Sequence, residues 1–200
     1  MNQENLNIGI IDYGVGNIRS LTNVIELLGH QVIIGNEERS FLGADILLLP
    51  GVGSIGYAMQ RMRETGMDRF IKQRFNCGDI PIVGICLGMH LFFEFSEEDN
   101  STGLGLLSGN VSSFDRLECH VGWNLVQTPS WIDETEKPSA YFFNHSYKVS
   151  CDANLVYKTS HQQKEFPTVI KSNLFTGVQF HPEKSQMAGY VLLKDKLLVV

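Results

Sequence analysis

The sequence predicts an α/β fold: an open, mostly parallel sheet flanked by helices, with additional antiparallel strands in its second half. Three observations predict it. Over the first hundred residues, short apolar runs alternate with longer segments of helical periodicity, the pattern of βα units. Three of those runs end in turns built on small residues, at Gly14, at Gly51 and around Cys86. Beyond about residue 100, Gly103, Gly105 and Gly109 punctuate Ser/Thr/Tyr/Val-rich runs, which favour pleated and antiparallel structure.

Residues 8–11 read as a first strand delivering the chain into Asp12-Tyr13-Gly14-Val15-Gly16. Ile18, Leu21, Val24, Ile25 and Leu28 then recur at helical spacing, with Asn17 placed to cap the start and Gly29 the end. Residues 32–34 and 46–49 are the next strands. The second runs into Pro50-Gly51-Val52-Gly53, after which Ile55, Met59 and Met62 predict a helix interrupted near Gly66 and resumed at Phe70 and Ile71. Residues 80–85 predict a fourth strand meeting Cys86 without a spacer, followed by a helix burying Leu91, Phe92 and Phe95. The later strands are expected at 110–114, 124–127, 140–149, 154–159, 167–171 and 174–180, and a last helix at 185–198. With no repeat, low-complexity stretch or linker, residues 1–200 read as one domain.

Composition narrows the function classes. The chain is 43% hydrophobic and 19% charged, which suits a packed core and not disorder. Sixteen Lys+Arg against 22 Asp+Glu leave a net charge of -6, with no overall excess for neutralising nucleic-acid phosphates. Apolar runs fall far short of the roughly 20 residues that span a bilayer. Residues 1–7 lack the basic and apolar regions of a signal peptide, and the four cysteines show no C-x-x-C spacing, so a reducing, cytoplasmic setting is expected.

Gly84-Ile85-Cys86-Leu87-Gly88 has the G-x-nucleophile-x-G form, in which flanking glycines permit a sharp strand-to-helix turn that presents the middle side chain. At a helix N-terminus, unpaired N–H groups favour a thiolate and can hold a developing oxyanion. Taken alone, Cys86 fits a buried small hydrophobe equally well. A thiol nucleophile needs a base, oriented in turn by a carboxylate. Residues i and i+2 of an extended segment share a side, so His181 and Glu183 can meet in one site, with Pro182 stiffening the link. A solvated histidine and a helix-starting acid are the ordinary alternative. Gly51, Val52 and Gly53 supply a chain that can approach an oxyanion closely, or simply a βα turn.

Together, G-I-C-L-G-M at 84–89, P-G-V-G at 50–53 and G-V-Q-F-H-P-E-K-S at 177–185 resemble the class I (triad) glutamine amidotransferases, whose fold is flavodoxin-like. I-D-Y-G-V-G-N at 11–17, H-V-G-W-N at 120–124, H-S-Y at 145–147 and K-S-Q at 184–186 narrow the resemblance to the glutaminase subunits of imidazole glycerol phosphate synthase. It covers nearly the whole chain. The resemblance implies that Cys86 attacks the glutamine side-chain amide, His181 shuttles the proton and Glu183 orients it. It implies an oxyanion site from Gly51, Val52, Gly53 and Leu87, and glutamine binding by His90, Glu98, Ser146 and Tyr147. It implies no cofactor and no metal. The ammonia would pass to a partner (β/α)8-barrel cyclase in histidine biosynthesis, docked on Asn17, Trp123, Asn124 and Lys184. Read without the resemblance, Trp123 also fits core packing, Lys184 a surface cation and the Ser96-Glu97-Glu98-Asp99 run a solvated helix end or loop.

The chain departs from that family at four places. His90 replaces a glutamine, Cys119 a proline, Asn144 an apolar residue and Phe142 a frequent tyrosine. These departures keep two alternatives open: a paralogous glutaminase subunit supplying ammonia to amidate a surface-polysaccharide sugar, and a catalytically silent partner-binding subunit. A cysteine peptidase on a similar fold would leave the H-V-G-W-N and K-S-Q motifs without a role.

Overall fold

In a computed structural model the chain is described over residues 5–114, 119–126, 138–151, 156–161 and 164–199. Positions 1–4, 127, 154 and 155, which enter the expectations above, lie outside them. The first half follows the predicted alternation. Strand β1 (Asn7–Ile11) leads to helix α1 (Ile18–Leu27), β2 (Gln31–Gly35), β3 (Ile46–Gly51), α2 (Ile55–Thr65), α3 (Met67–Cys77) and β4 (Ile82–Cys86). Gly66 separates α2 from α3 at φ 78, a left-handed conformation that glycine adopts without steric cost. Asn17 caps α1 through its backbone carbonyl, which accepts from Leu21 N, and not through its side chain.

After Cys86 the structure departs from expectation. Helix α4 (Leu87–His90) lasts a single turn, and residues 93–96 form a strand, β5 (Phe93–Ser96). The reason lies in backbone pairing. The carbonyls of Leu91, Phe92 and Phe93 accept from the amides of Leu104, Leu106 and Gly105, so they are satisfied by a distant segment instead of a continuing helix. Leu91, Phe92 and Phe93 are consecutive and all buried, which one helix face cannot achieve against a single neighbour. The strand expected at 80–85 also starts later, at Ile82.

The second half supplies β6 (Ser101–Thr102), β7 (Leu107–Ser113), β8 (His120–Val126), β9 (Ser139–His145), β10 (Tyr147–Cys151), β11 (Val156–His161), β12 (Lys164–Ser172), β13 (Phe175–Val178) and helix α5 (Gln186–Leu192). The expected strand at 140–149 is two strands broken at Ser146. Before the break β9 pairs with β8; after it β10 pairs with β7.

The main sheet runs β11-β12-β13-β4-β3-β1-β2. Its β2-β1-β3-β4 portion is parallel and follows the flavodoxin-like doubly wound order. On its far side β13 joins β4 in parallel, so the chain leaving β13 emerges beside Cys86. One apolar core lies under α2 and α3, centred on Met59, Phe92 and Phe175; the other lies under α1 and α5, centred on Ile25, Phe143 and Phe180. No disulfide links the four cysteines, and no helix of the described residues is long and apolar enough to cross a membrane.

Candidate active site

Cys86 ends β4 and opens α4 at φ 53 and ψ -109. A non-glycine residue held there carries strain of about 1–3 kcal/mol, so the surrounding structure must over-determine the turn. It does so through its glycines. A Cβ at Gly88 would lie 1.7 Å from the Leu49 carbonyl oxygen, and one at Gly84 would lie 2.7 Å from the Gly88 carbonyl oxygen. The thiol is nearly buried. It lies 3.9 Å from the Asn144 carbonyl oxygen and 3.8 Å from Gln179 Nε2. The amide of Leu87, first residue of α4, has no partner within the helix, as at any helix N-terminus.

Val178 sits opposite Ile85 in the parallel β13–β4 ladder. Two adjacent strands therefore deliver Cys86 and His181 to the same sheet edge from 95 positions apart in the chain. Pro182–Lys184 form a 3-10 turn where an extended segment was expected. That turn still brings His181 Nδ1 to 2.9 Å from Glu183 Oε1, both side chains being almost wholly buried. Ser185 fixes the turn: its hydroxyl donates to the His181 carbonyl at 2.6 Å and accepts from Phe142 N at 3.0 Å. His181 N in turn donates to the Phe142 carbonyl at 2.9 Å, lacing the turn to β9.

With Nδ1 engaged by Glu183, Nε2 is left buried without a hydrogen bond among the described residues. Burial alone would lower the His181 pKa; interaction with Cys86 and Glu183 outweighs it and raises the group to about 10. The proton therefore rests on the imidazole at neutral pH.

A cavity of about 240 Å3 opens over Cys86. Val52, Gly53, Leu87, His90, Glu98, Ser146 and Tyr147 line it, as do Cys119, Val121, Asn144 and His145. Gly51 stands just behind, opposite Cys86 in the β3–β4 register. A Cβ there would come within 2.3 Å of the Tyr13 hydroxyl, which donates to the Pro50 carbonyl at 2.7 Å. Burial foremost, then Cys86 and Asp12, push the Tyr13 pKa up, so that hydroxyl stays protonated.

Glu98 holds two positions at once. Its Oε2 accepts from Ile55 N at 3.3 Å, closing the start of α2, while the side chain borders the cavity. Burial raises its pKa, with Asp99 adding to the effect and the Ile55 bond opposing it. The expected pair Ser146 and Tyr147 occupies the junction of β9 and β10, and the acidic run containing Glu98 is near enough to raise the Tyr147 pKa further beyond burial. His90 Nε2 lies 2.7 Å from Gln179 Oε1.

Across the cavity, a directed chain of hydrogen bonds fixes two further histidines. His145 Nδ1 donates to the Tyr147 carbonyl at 2.8 Å, which leaves Nε2 to accept from His120 Nδ1 at 3.0 Å and His120 Nε2 to accept from Asn124 at 3.4 Å. Burial pushes His145 down to about 3 and His120 to about 4, so both stay neutral. His161 stacks on His120 with ring centroids 4.0 Å apart.

The residues expected at a partner surface lie outside this cavity. Trp123 is 50% exposed and meets Phe142 edge-on, while Lys184 Nζ stands 5.9 Å over the same Phe142 ring. Asn124 is turned inward, donating to the Ser160 carbonyl at 2.9 Å. Asn17 stands at the start of α1, a helix that packs against the Pro182–Lys184 turn.

Reading by motif missed Gln179 and Ser185 as working parts, although both stand inside G-V-Q-F-H-P-E-K-S. Nothing in their residue type announced a contact with Cys86 or with the His181 carbonyl. The role of His145 in the cavity wall was likewise hidden, since its partner His120 is 25 residues away.

Comparison with known proteins shows the family and the fold. The chain is 38% identical to the imidazole glycerol phosphate synthase subunit HisH of Geobacillus sp. (strain WCH70), over 96% of this chain and 97% of that one. It is 38% identical to the subunit of the same name from Methanocaldococcus jannaschii, over 94% and 97%. Among solved structures, one described as a glutamine amidotransferase superposes with TM-score 0.74 at 17% identity, over 94% of this chain and 98% of the other. PurLQS from Thermotoga maritima gives 0.69 at 15%, over 96% and 97%, a likeness of fold. Since the family model for class-I glutamine amidotransferases matches residues 9–200, nearly the whole sheet and the entire Cys86 to Glu183 arrangement, the chain belongs to that family.

Proposed function

We propose that this chain is the glutaminase subunit of an imidazole glycerol phosphate synthase, releasing ammonia from glutamine for a partner (β/α)8-barrel cyclase. The single observation that carries the chemistry is the Cys86, His181 and Glu183 arrangement at one sheet edge, with His181 Nδ1 2.9 Å from Glu183. Near-full-length similarity to HisH subunits supports the assignment to histidine biosynthesis.

Cys86 sulfur attacks the side-chain carbonyl of glutamine. The oxyanion that develops is held by the Leu87 amide and by the Gly51, Val52 and Gly53 segment. His181, carrying its proton beside Glu183, gives it to the departing nitrogen, leaving a glutamyl thioester and ammonia. Neutral His181 then takes a proton from water, which attacks the thioester and releases glutamate. Glu98 receives the ammonium end of glutamine, and Ser146 and Tyr147 its carboxylate. Residues 1–200 make one amidotransferase domain, and the ammonia acceptor belongs to the second chain.

Exposed apolar side chains support a docking face. Val121, Trp123 and Leu125 are 62%, 50% and 58% exposed along one side of β8, and Trp123 shares a groove with the exposed Met187 of α5. A contiguous apolar patch of this kind marks an interaction surface. Trp123→Ala is expected to weaken cyclase binding by about 2 kcal/mol, roughly 30-fold in Kd by calorimetry.

Glu98→Gln removes a charge facing the glutamine ammonium. The expected result is a rise in KM for glutamine of roughly 10- to 100-fold with a much smaller change in kcat.

Glu183→Gln removes one of the two influences that raise His181, so kcat should fall by about 10^3 or more, as it does when an orienting carboxylate is lost. The variant also tests a pH linkage. Because the folded His181 pKa is raised to about 10 from an unfolded value of 6.5, its stabilisation is complete below 6.5 and is lost as pH rises through about 10. Urea titrations should show that alkaline loss in the parent chain and a weaker one in Glu183→Gln.

The assignment is tested by mixing the chain with the histidine-pathway cyclase and following glutamine-dependent formation of imidazole glycerol phosphate. Product that disappears with Cys86→Ala supports it. Glutamate release unaffected by that cyclase would redirect the acceptor to another pathway, and no release with any partner would favour a silent binding subunit.

A further inference from the structure

Gln179 is fully buried, two residues before His181, and its backbone amide is anchored on the Thr168 carbonyl at 2.9 Å. Its carboxamide bridges two side chains of the nucleophile turn. Oε1 lies 2.7 Å from His90 Nε2, and Nε2 lies 3.8 Å from Cys86 sulfur. The two ends of a carboxamide have nearly the same shape, so packing alone does not decide which faces the sulfur. The His90 tautomer selects between them: with the proton on Nε2, Oε1 accepts from His90 and the NH2 faces Cys86, which is the arrangement of the structure.

The sulfur consequently has two neighbours of opposite character. As a thiol it can donate to the Asn144 carbonyl at 3.9 Å; as a thiolate it can only accept, and the Gln179 NH2 is placed to donate. Donation to the anion favours the nucleophilic form. Burial holds His90 down at about 4 despite the opposing Gln179 bond, so it performs this task as a neutral imidazole.

Resting on the glutaminase reading above, we propose that His90 and Gln179 are positioning residues that act through Cys86: His90 orients the Gln179 carboxamide, whose NH2 holds the thiolate for attack. His90 Nε2 is thereby engaged within the protein, while residue 90 still borders the cavity in which it was expected to hold glutamine.

The test follows alkylation of Cys86 by iodoacetamide across pH in the full-length chain, reading the Cys86 peptide by mass spectrometry so that Cys77 and Cys119 do not interfere. Gln179→Met keeps the volume and removes the donor. Its rate profile should move to higher pH, with about tenfold slower alkylation at neutral pH. His90→Phe, which removes the orienting N–H, should shift the profile in the same direction, while His90→Gln, whose amide can still donate to Oε1, should restore the parent profile. Circular dichroism and urea midpoints establish that each variant is folded. A merely structural role would alter the midpoint and leave the pH profile in place.

An unmoved profile in a folded Gln179→Met variant overturns the proposal. So does a shift in Gln179→Met with none in His90→Phe, because His90 would then not set the carboxamide. Should His90→Phe prevent folding, His90→Asn, which shortens the donor, serves instead: a parent-like profile there counts against the proposal and a shifted one supports it. The readout needs neither glutamine nor cyclase. A parent chain that releases no glutamate with any partner would defeat the glutaminase reading separately, by a result that the alkylation profile does not share.

Discussion

Cys86→Gly is expected to abolish glutamate release while giving a more stable protein than Cys86→Ala. Either substitution removes the thiol proposed as nucleophile, so kcat should fall by about four orders of magnitude or more in both. They differ in what they do to the backbone. At φ 53 and ψ -109 residue 86 lies outside even the left-handed helical well, a conformation whose cost for a residue with a Cβ is at the upper end of the range, about 3 kcal/mol. Alanine retains that strain and glycine relieves it. Against the relief stand the extra chain entropy of glycine, about 1 kcal/mol, and one lost methyl burial, about 0.8 kcal/mol. The balance leaves Cys86→Gly more stable than Cys86→Ala by about 1 kcal/mol, measurable as a difference in urea midpoint. Equal stability of the two would show that residue 86 is not strained, and residual turnover in either would show that Cys86 is not the nucleophile.

Gly88→Ala should damage both fold and catalysis, although it adds only one methyl group. The new Cβ would lie 1.7 Å from the Leu49 carbonyl oxygen, and that oxygen belongs to β3, an interior strand paired on both sides. To reach ordinary contact, α4 and β3 must separate by more than about 1 Å, against interdigitated side chains on both faces. The expected destabilisation is about 3 kcal/mol. The shift also carries Cys86 and the Leu87 amide away from the reacting carbon, and a misplacement of about 1 Å costs about 100-fold in rate. Parent-like stability would mean that α4 and β3 can part freely, contrary to this packing.

Much of this was written in short stretches of sequence. The G-x-C-x-G turn is legible because its glycines answer a local steric demand, and the parallel sheet is legible because its strands and helices carry their own periodicities. His181 and Glu183 are two residues apart, so their meeting needed only a turn of suitable shape. The stretch after Cys86 was misread for the opposite reason. Leu91, Phe92 and Phe95 satisfy a helical pattern, yet the carbonyls of Leu91, Phe92 and Phe93 are claimed by amides some 12 to 14 residues later, and no local signal carries that competition.

By itself, then, the sequence determined the βα order, the sharp turn at Cys86 and the candidates for acid, base and thiol, because each is a property of a few adjacent residues. Only the tertiary structure decided that β13 lies beside β4, that the strand near residue 145 breaks at Ser146, and that His90 Nε2 meets Gln179. Those outcomes depend on strand register and on which buried donor finds which acceptor across nearly ninety residues, and hydrogen-bond partners are chosen only when the sheet has closed around them.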